Sequence, residues 1–183
     1  MSDDTYLNEN QPRPIKVAKE LSEDTLTLFA QDPGYVKRWR PRLEGKQPPL
    51  HFNFYAILFG AIWCVFRKLR RVAAILIELQ WSVEIAAILI AIHVFAISRY
   101  DTGLQGVIAV FFSMLLVRIP FGLLADAIYY QQAKDTIEKL AETRLPDEYF
   151  VSAVKAQGGI DFPAALVVAG ALGVANMLAS AFL

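Results

Sequence analysis

Five ionisable residues interrupt the most apolar part of this chain: Glu78, Glu84, His93, Arg118 and Asp126. A charged side chain at the centre of a membrane helix costs roughly 2.5–3.5 kcal/mol on insertion scales, so such residues are kept mainly where they serve a pathway or pair with each other. Carboxylates beside an arginine or a titratable imidazole can relay protons or form an ion pair. These residue types therefore suggest either the transfer of protons or ions, or an ion pair that holds two helices together.

The spacing of these residues predicts which of them meet. The short polar stretch 99–103 separates two long apolar segments, which indicates an antiparallel hairpin with its tip near residue 101. Glu84 lies 17 residues before this tip and Arg118 lies 17 residues after it, so the two reach nearly the same depth along helices that rise about 1.5 Å per residue. Glu78 and Asp126 match similarly. We predict that Glu84 and Arg118 form an ion pair across the hairpin.

The depth of this pair in the membrane decides between two interpretations of its role. If the whole first arm is embedded, Glu84 lies near the midplane and the pair suggests a proton or ion pathway. Trp81 and Tyr100, however, are spaced like the two aromatic belts of a membrane. We favour this second interpretation, which puts the pair at the cytoplasmic interface as a structural clamp. His93 is deep in both cases, either as a proton relay or as a hydrogen-bonded core histidine.

The composition indicates that these residues lie on membrane helices. Hydrophobic residues form 55% of the 183-residue chain, and the 18 basic and 18 acidic residues crowd between the apolar segments. The neutral total argues against nucleic acid as a partner. Cys64 is the single cysteine, so no intramolecular disulfide can form, and from the polar residues at the start we expect no secretory signal.

The apolar segments predict an all-α, polytopic integral membrane protein. Residues 1–50 form a cytoplasmic segment with short helices, the first capped by Ser22, and the membrane domain covers residues 51–183. Segment 51–66 is too short to span and is flanked by bases, which favours a re-entrant or interfacial helix. We predict spans at 72–98, 104–130 and 163–183, and a cytoplasmic helical linker at 131–158. The N-terminus is expected on the cytoplasmic side.

Two further clusters are candidates for binding. Anionic lipid headgroups or a partner could contact the basic run Arg67, Lys68, Arg70 and Arg71. In the last span, Ala165, Ala169 and Gly173 recur every four residues, a spacing that allows close helix packing in lipid. The simpler alternative is that an alanine-rich span inserts easily.

Three stretches resemble a known family. They are Tyr35-Val-Lys-Arg-Trp39, then His51-Phe-Asn-Phe-Tyr-Ala-Ile-Leu-Phe-Gly-Ala-Ile-Trp63, and Arg118-Ile-Pro-Phe-Gly-Leu-Leu-Ala-Asp-Ala-Ile-Tyr-Tyr130, with Gly158-Gly159 following. Together they are similar to the bacterial inner-membrane family catalogued as domain of unknown function 2628. Ala61 stands where proline is expected, Asp126 where asparagine is usual, and Ile160-Asp161 where Thr-Ser is common. The family has no established activity, so the resemblance transfers no catalytic residue.

These observations favour a non-catalytic role. No phosphate-binding glycine loop or zinc-type spacing of Cys and His is present, and we expect no cofactor, metal or catalytic residue. The leading prediction is an accessory or regulatory subunit of an inner-membrane complex. Its partners would be membrane lipids and another membrane protein or a second copy. The alternatives are a small oligomeric transporter or channel subunit, and an anionic-lipid-binding protein.

Overall fold

The computed structural model describes residues 19–46, 51–94 and 104–182, and this part of the chain is all helical. Its helices are α1 (Glu23–Ala30), α2 (Pro33–Leu43), α3 (Phe54–Phe59), α4 (Ala61–Phe66), α5 (Arg70–Val94), α6 (Leu104–Glu142), α7 (Asp147–Gln157) and α8 (Phe162–Phe182). Three of them, α5, α6 and α8, are long and apolar enough to cross a membrane. The prediction of an all-α protein with three spans is confirmed.

Capping side chains set the starts of the N-terminal helices. Ser22 accepts a hydrogen bond from the Thr25 backbone, as predicted, and Asp32 accepts one from Gly34 at the start of α2. α2 continues through Pro41 to Leu43. Pro41 lies in the last turn, where only one backbone hydrogen bond is lost to the proline.

The short apolar segment forms two helices rather than one. Gly60 separates α3 from α4. Its backbone has φ 50° and ψ −119°, a conformation that residues other than glycine rarely adopt. Each helix has six residues and is therefore about 9 Å long, so neither can cross a bilayer alone. The segment predicted as one short helix is therefore two helices in the structure, and its shallow position in the membrane stays a prediction.

The two long helices α5 and α6 pack as an antiparallel hairpin. Val72 and Ile128 line one cavity between them, while Glu84 and Arg118 line another farther along. The predicted tip, residues 99–103, lies outside the described residues. On this frame α3 packs against α6, and α4 packs against both α5 and α8.

The N-terminal helices and α7 meet at one end of the molecule. Lys19 Nζ lies 2.7 Å from Asp147 Oδ1, and the Gly159 N–H donates to the Phe29 carbonyl at 2.7 Å. A Cβ added to Gly158 would overlap this same carbonyl, so only glycine allows the close approach of α1 to the end of α7. This arrangement suits a topology with both segments on one face of the membrane.

Candidate functional site

A buried carboxylate on α6 joins three parts of the chain. Asp126 Oδ2 accepts a hydrogen bond from Arg38 Nη1 at 2.8 Å, and its Oδ1 accepts one from Asn53 Nδ2 at 2.7 Å. Trp39 Nε1 donates to the Asp126 backbone carbonyl at 3.2 Å. Asp126 is 8% exposed. We call these four residues, Arg38, Trp39, Asn53 and Asp126, the Asp126 hub.

Local structure orients each side chain of the hub. Asn53 caps α3 by accepting a hydrogen bond from the Ala56 N–H at 3.0 Å, and its amide nitrogen remains available to donate to Asp126. The Asn53 backbone N–H donates to the Gly122 carbonyl, one turn before Asp126. Arg38 and Trp39 are consecutive on α2, so a single turn of that helix supplies both remaining contacts.

An aromatic cluster adjoins the hub. Tyr129 lies three residues after Asp126 and therefore on the same face of α6. Its buried ring lies 5.2 Å from both Tyr35 and Trp39, measured between ring centroids. Edge-to-face pairs of this kind add about 0.5–1.5 kcal/mol each beyond burial of their area. The aromatic cluster consists of Phe29, Tyr35, Trp39, Trp63 and Tyr129.

Arg67 enters this cluster from the loop after α4. Its guanidinium carbon lies 4.5 Å from the Tyr35 ring centroid and 5.5 Å from that of Tyr129, distances that fit cation–π contacts. Its Nη2 lies 3.4 Å from Asp32 Oδ2. Arg67 is 9% exposed, and its buried Nε has no hydrogen-bond partner among the described residues. Arg67 is therefore an interior cation rather than a surface one.

The chemistry of the hub is that of a clamp. Both carboxylate oxygens of Asp126 already accept short hydrogen bonds, one of them from a cation, and such charge-assisted bonds are stronger than neutral ones. Separating Asp126 from Arg38 would leave a charge in a largely buried position, which is costly. The hub thus holds α2 and α3 against α6.

Glu84 and Arg118 line the same cavity of about 100 Å³, but their observed hydrogen bonds go elsewhere. Glu84 Oε1 accepts from Gln80 Nε2 at 2.7 Å, one turn earlier on α5. Arg118 Nη1 donates to the Leu58 carbonyl at 2.9 Å, near the end of α3. No nitrogen of Arg118 lies within 4.0 Å of a carboxylate oxygen of Glu84 in this described part of the chain, so their ion pair stays a prediction.

The other predicted residues fall in separate places. Lys68 Nζ donates to the Ala156 carbonyl at 2.7 Å, Arg70 lies 3.2 Å from Asp161, and Arg71 is exposed. Three of the four bases in the predicted lipid-binding run, Arg67 included, thus have partners within the chain. Glu78 is exposed on α5. His93 lies on the same helix, but its side chain is outside the described part.

The small-residue stripe of α8 turns gradually away from the protein. Ala165 is buried, Ala169 lines a groove beside α4, and Gly173 has no neighbour within 4 Å of the position a Cβ would take. The start of the stripe therefore packs within the chain, while Gly173 faces outward.

Sequence reasoning singled out Asp126 but missed Arg38 as its partner and Tyr129 as the centre of the aromatic cluster. A signal for both was present, because the three stretches that resemble a family contain all the hub residues and Tyr129. Only in the fold do these stretches converge. In the part of the chain that the structure describes, no three His, Cys, Asp or Glu side chains form a group that could hold a metal.

Comparison with known proteins gives one match. The model of the family described as "Protein of unknown function (DUF2628)" matches residues 23–134. No curated protein and no solved structure matches the chain. The matched range includes the whole Asp126 hub and the aromatic cluster, whereas α7 and α8 lie beyond it. Since the match covers more than half of the sequence, the chain belongs to the DUF2628 family.

Proposed function

We propose that this membrane protein is a non-catalytic interaction protein of the bacterial inner membrane, an accessory or regulatory subunit that binds another membrane protein or a second copy through α8. The observation that carries the proposal is the open face of α8. Gly170 and Gly173 both have empty space where a Cβ would lie. Small residues on a span allow another helix to approach closely in lipid.

The packing of α8 within the chain supports this role. The main packing partner of α8 is the short helix α4, which contacts it near its first turns. Leu172 and Asn176 line, together with residues of α5 and α6, the small cavity that contains Arg118. The outer half of α8 therefore offers surface that a partner helix could cover.

The proposed orientation places the N-terminus in the cytoplasm. The polar helices α1 and α2, the loop at residues 67–69 and α7 are joined by contacts, so they share one side of the membrane. Bases concentrate on this side, which favours the cytoplasm. They are Lys37, Arg38, Arg40, Arg42, Lys46, Arg67, Lys68, Arg70 and Arg71.

The test is a matched pair of substitutions on α8. Gly173→Leu puts a bulky side chain on the open face, while Val174→Leu enlarges an exposed residue about 100° around the same helix. The full chain is cross-linked in native membranes and purified in mild detergent, and any covalently joined protein is identified by mass spectrometry. We expect one stoichiometric companion, lost in Gly173→Leu and kept in Val174→Leu. A clean monomer in the unmodified protein would contradict the proposal.

A subunit of an oligomeric transporter or channel is the second candidate. The observation that favours it is the polar cavity among the spans, which contains Gln80, Glu84, Arg118 and Asn176. In that case Glu84→Gln should abolish ion or proton flux in reconstituted vesicles while leaving helicity unchanged. Unmodified protein that gives no flux above empty vesicles would rule this candidate out.

A further inference from the structure

An apolar groove of about 560 Å³ runs between α8 and the short helices α3 and α4. Phe59, Trp63 and Phe66 form one wall, and Phe162, Ala165 and Ala169 form the other. This volume lies within the range of about 300–1,000 Å³ that is usual for sites of small molecules. The small side chains of α8 create the space, because Ala165 and Ala169 stand opposite aromatic rings.

A cation lines this apolar groove. Arg67 is nine-tenths buried, and its Nε has no hydrogen-bond partner among the residues described. The carboxylate that faces it among the described residues is that of Asp32, whose Oδ2 lies 3.4 Å from Arg67 Nη2. The Arg67 side chain keeps 11% of its surface exposed and lines the groove, so an oxyanion there can accept a charge-assisted hydrogen bond from the guanidinium.

The rim of the groove is apolar and exposed. Phe59 is 46% exposed, Phe162 57% and Leu166 58%, all at positions beside a candidate span. In a membrane these surfaces contact hydrocarbon, so an acyl chain can enter sideways without crossing water. The polar side nearby carries Arg67, Lys68 and Arg70 against Asp32 and Asp161, which leaves one positive charge in excess.

We propose that this groove binds an anionic phospholipid, with an acyl chain between Trp63 and Ala169 and the phosphate against Arg67. The apolar walls select hydrocarbon, while the buried guanidinium selects a negative headgroup. The proposal is independent of the α8 partner face, because the groove ends near Ala169 and the open glycines begin at Gly170.

The test measures lipid retained by the full chain purified in mild detergent, with added phosphatidylglycerol or phosphatidylcholine. Native mass spectrometry counts the bound lipids. Ala169→Phe fills the groove, and Ala171→Phe makes the same change at an exposed position outside it. We expect about one tightly held phosphatidylglycerol per chain, at least about tenfold weaker retention in Ala169→Phe, and no change in Ala171→Phe. Arg67→Gln should reduce the preference for phosphatidylglycerol about fivefold.

A second measurement does not depend on the folding of these variants. Trp81→Phe leaves Trp39 and Trp63, both buried, and Trp63 lines the groove. Phosphatidylglycerol with brominated acyl chains should quench the remaining fluorescence more strongly than brominated phosphatidylcholine. Equal quenching, equal retention of the two lipids, or equal loss in Ala169→Phe and Ala171→Phe would each overturn the proposal. The proposal would also be overturned if inorganic phosphate alone displaced the bound phosphatidylglycerol, or if another protein chain filled the groove.

Discussion

The Asp126 carboxylate on α6 accepts a hydrogen bond of 2.8 Å from the guanidinium of Arg38 on α2, 88 positions earlier in the chain. This contact ties a charged helix outside the spans to a helix that crosses the membrane. The second carboxylate oxygen of Asp126 accepts a hydrogen bond from Asn53, so Asp126 also fixes the start of α3.

Removing the carboxylate should destabilise the fold through both donors. Asp126→Ala leaves Arg38 and Asn53 without their acceptor, and we expect the free energy of unfolding in mixed micelles to fall by about 2–4 kcal/mol, since Arg38 is partly exposed and water replaces some of the loss. Together with Arg38→Gln and the double variant, this forms a thermodynamic cycle. A coupling energy of about 1–3 kcal/mol is expected. Additive effects would show that the contact does not contribute.

The close approach of α1 to the end of α7 makes Gly158 sensitive to any side chain. Gly158→Ala puts a methyl group against the Phe29 carbonyl, and the required shift should cost about 1–3 kcal/mol of unfolding free energy. Gly170→Ala is the control, because the same methyl group meets empty space there and a helical alanine is favoured over glycine. Chemical denaturation measures both. Equal stability of the two variants would refute this account of the α1–α7 contact.

The break between α3 and α4 depends on the backbone of Gly60. Gly60→Ala should destabilise the protein by about 1–3 kcal/mol, since φ is positive and the new Cβ would lie 3.3 Å from Arg118 Nε. Gly45 also has positive φ but has no neighbour within 4 Å of its added Cβ, so Gly45→Ala isolates the conformational cost. Thermal unfolding followed by circular dichroism compares them. The variant at residue 60 should have the lower midpoint.

Acid should weaken one surface contact of α1. The hydrogen bond from Arg40 lowers the pKa of Glu23 below its ordinary value. A carboxylate with a lowered pKa in the folded state stabilises that state above its unfolded pKa, and this contribution disappears as the pH falls through the folded pKa. The stability difference between the unmodified protein and Arg40→Gln should therefore be present at neutral pH and vanish in acid. Hydrogen exchange of α1 amides measures it, and a difference that grows toward low pH would contradict the assignment.

Local features of the sequence predicted much of the fold. Apolar length alone located the three spans, because the free energy of insertion depends on each segment separately. Ser22 is recognised as a helix cap for a similar reason, since a cap satisfies backbone groups only two or three residues away. The equal depth of Glu84 and Arg118 predicts that they lie close together, and both line one cavity. It does not predict which groups they hydrogen-bond to.

The chemistry around the predicted charges was decided by the tertiary structure. Arg67 belongs to a basic run that the sequence assigns to lipid headgroups or a partner, and only the fold places its side chain beside the rings of Tyr35 and Tyr129 at an apolar groove. From the sequence, Asp126 is a charge in a span at the depth of Glu78, and only the packing of α2 against α6 supplies Arg38. Hydropathy and capping depend on neighbours along the chain. The partner of a buried charge depends on which distant segments fold against it, and no local pattern contains that information.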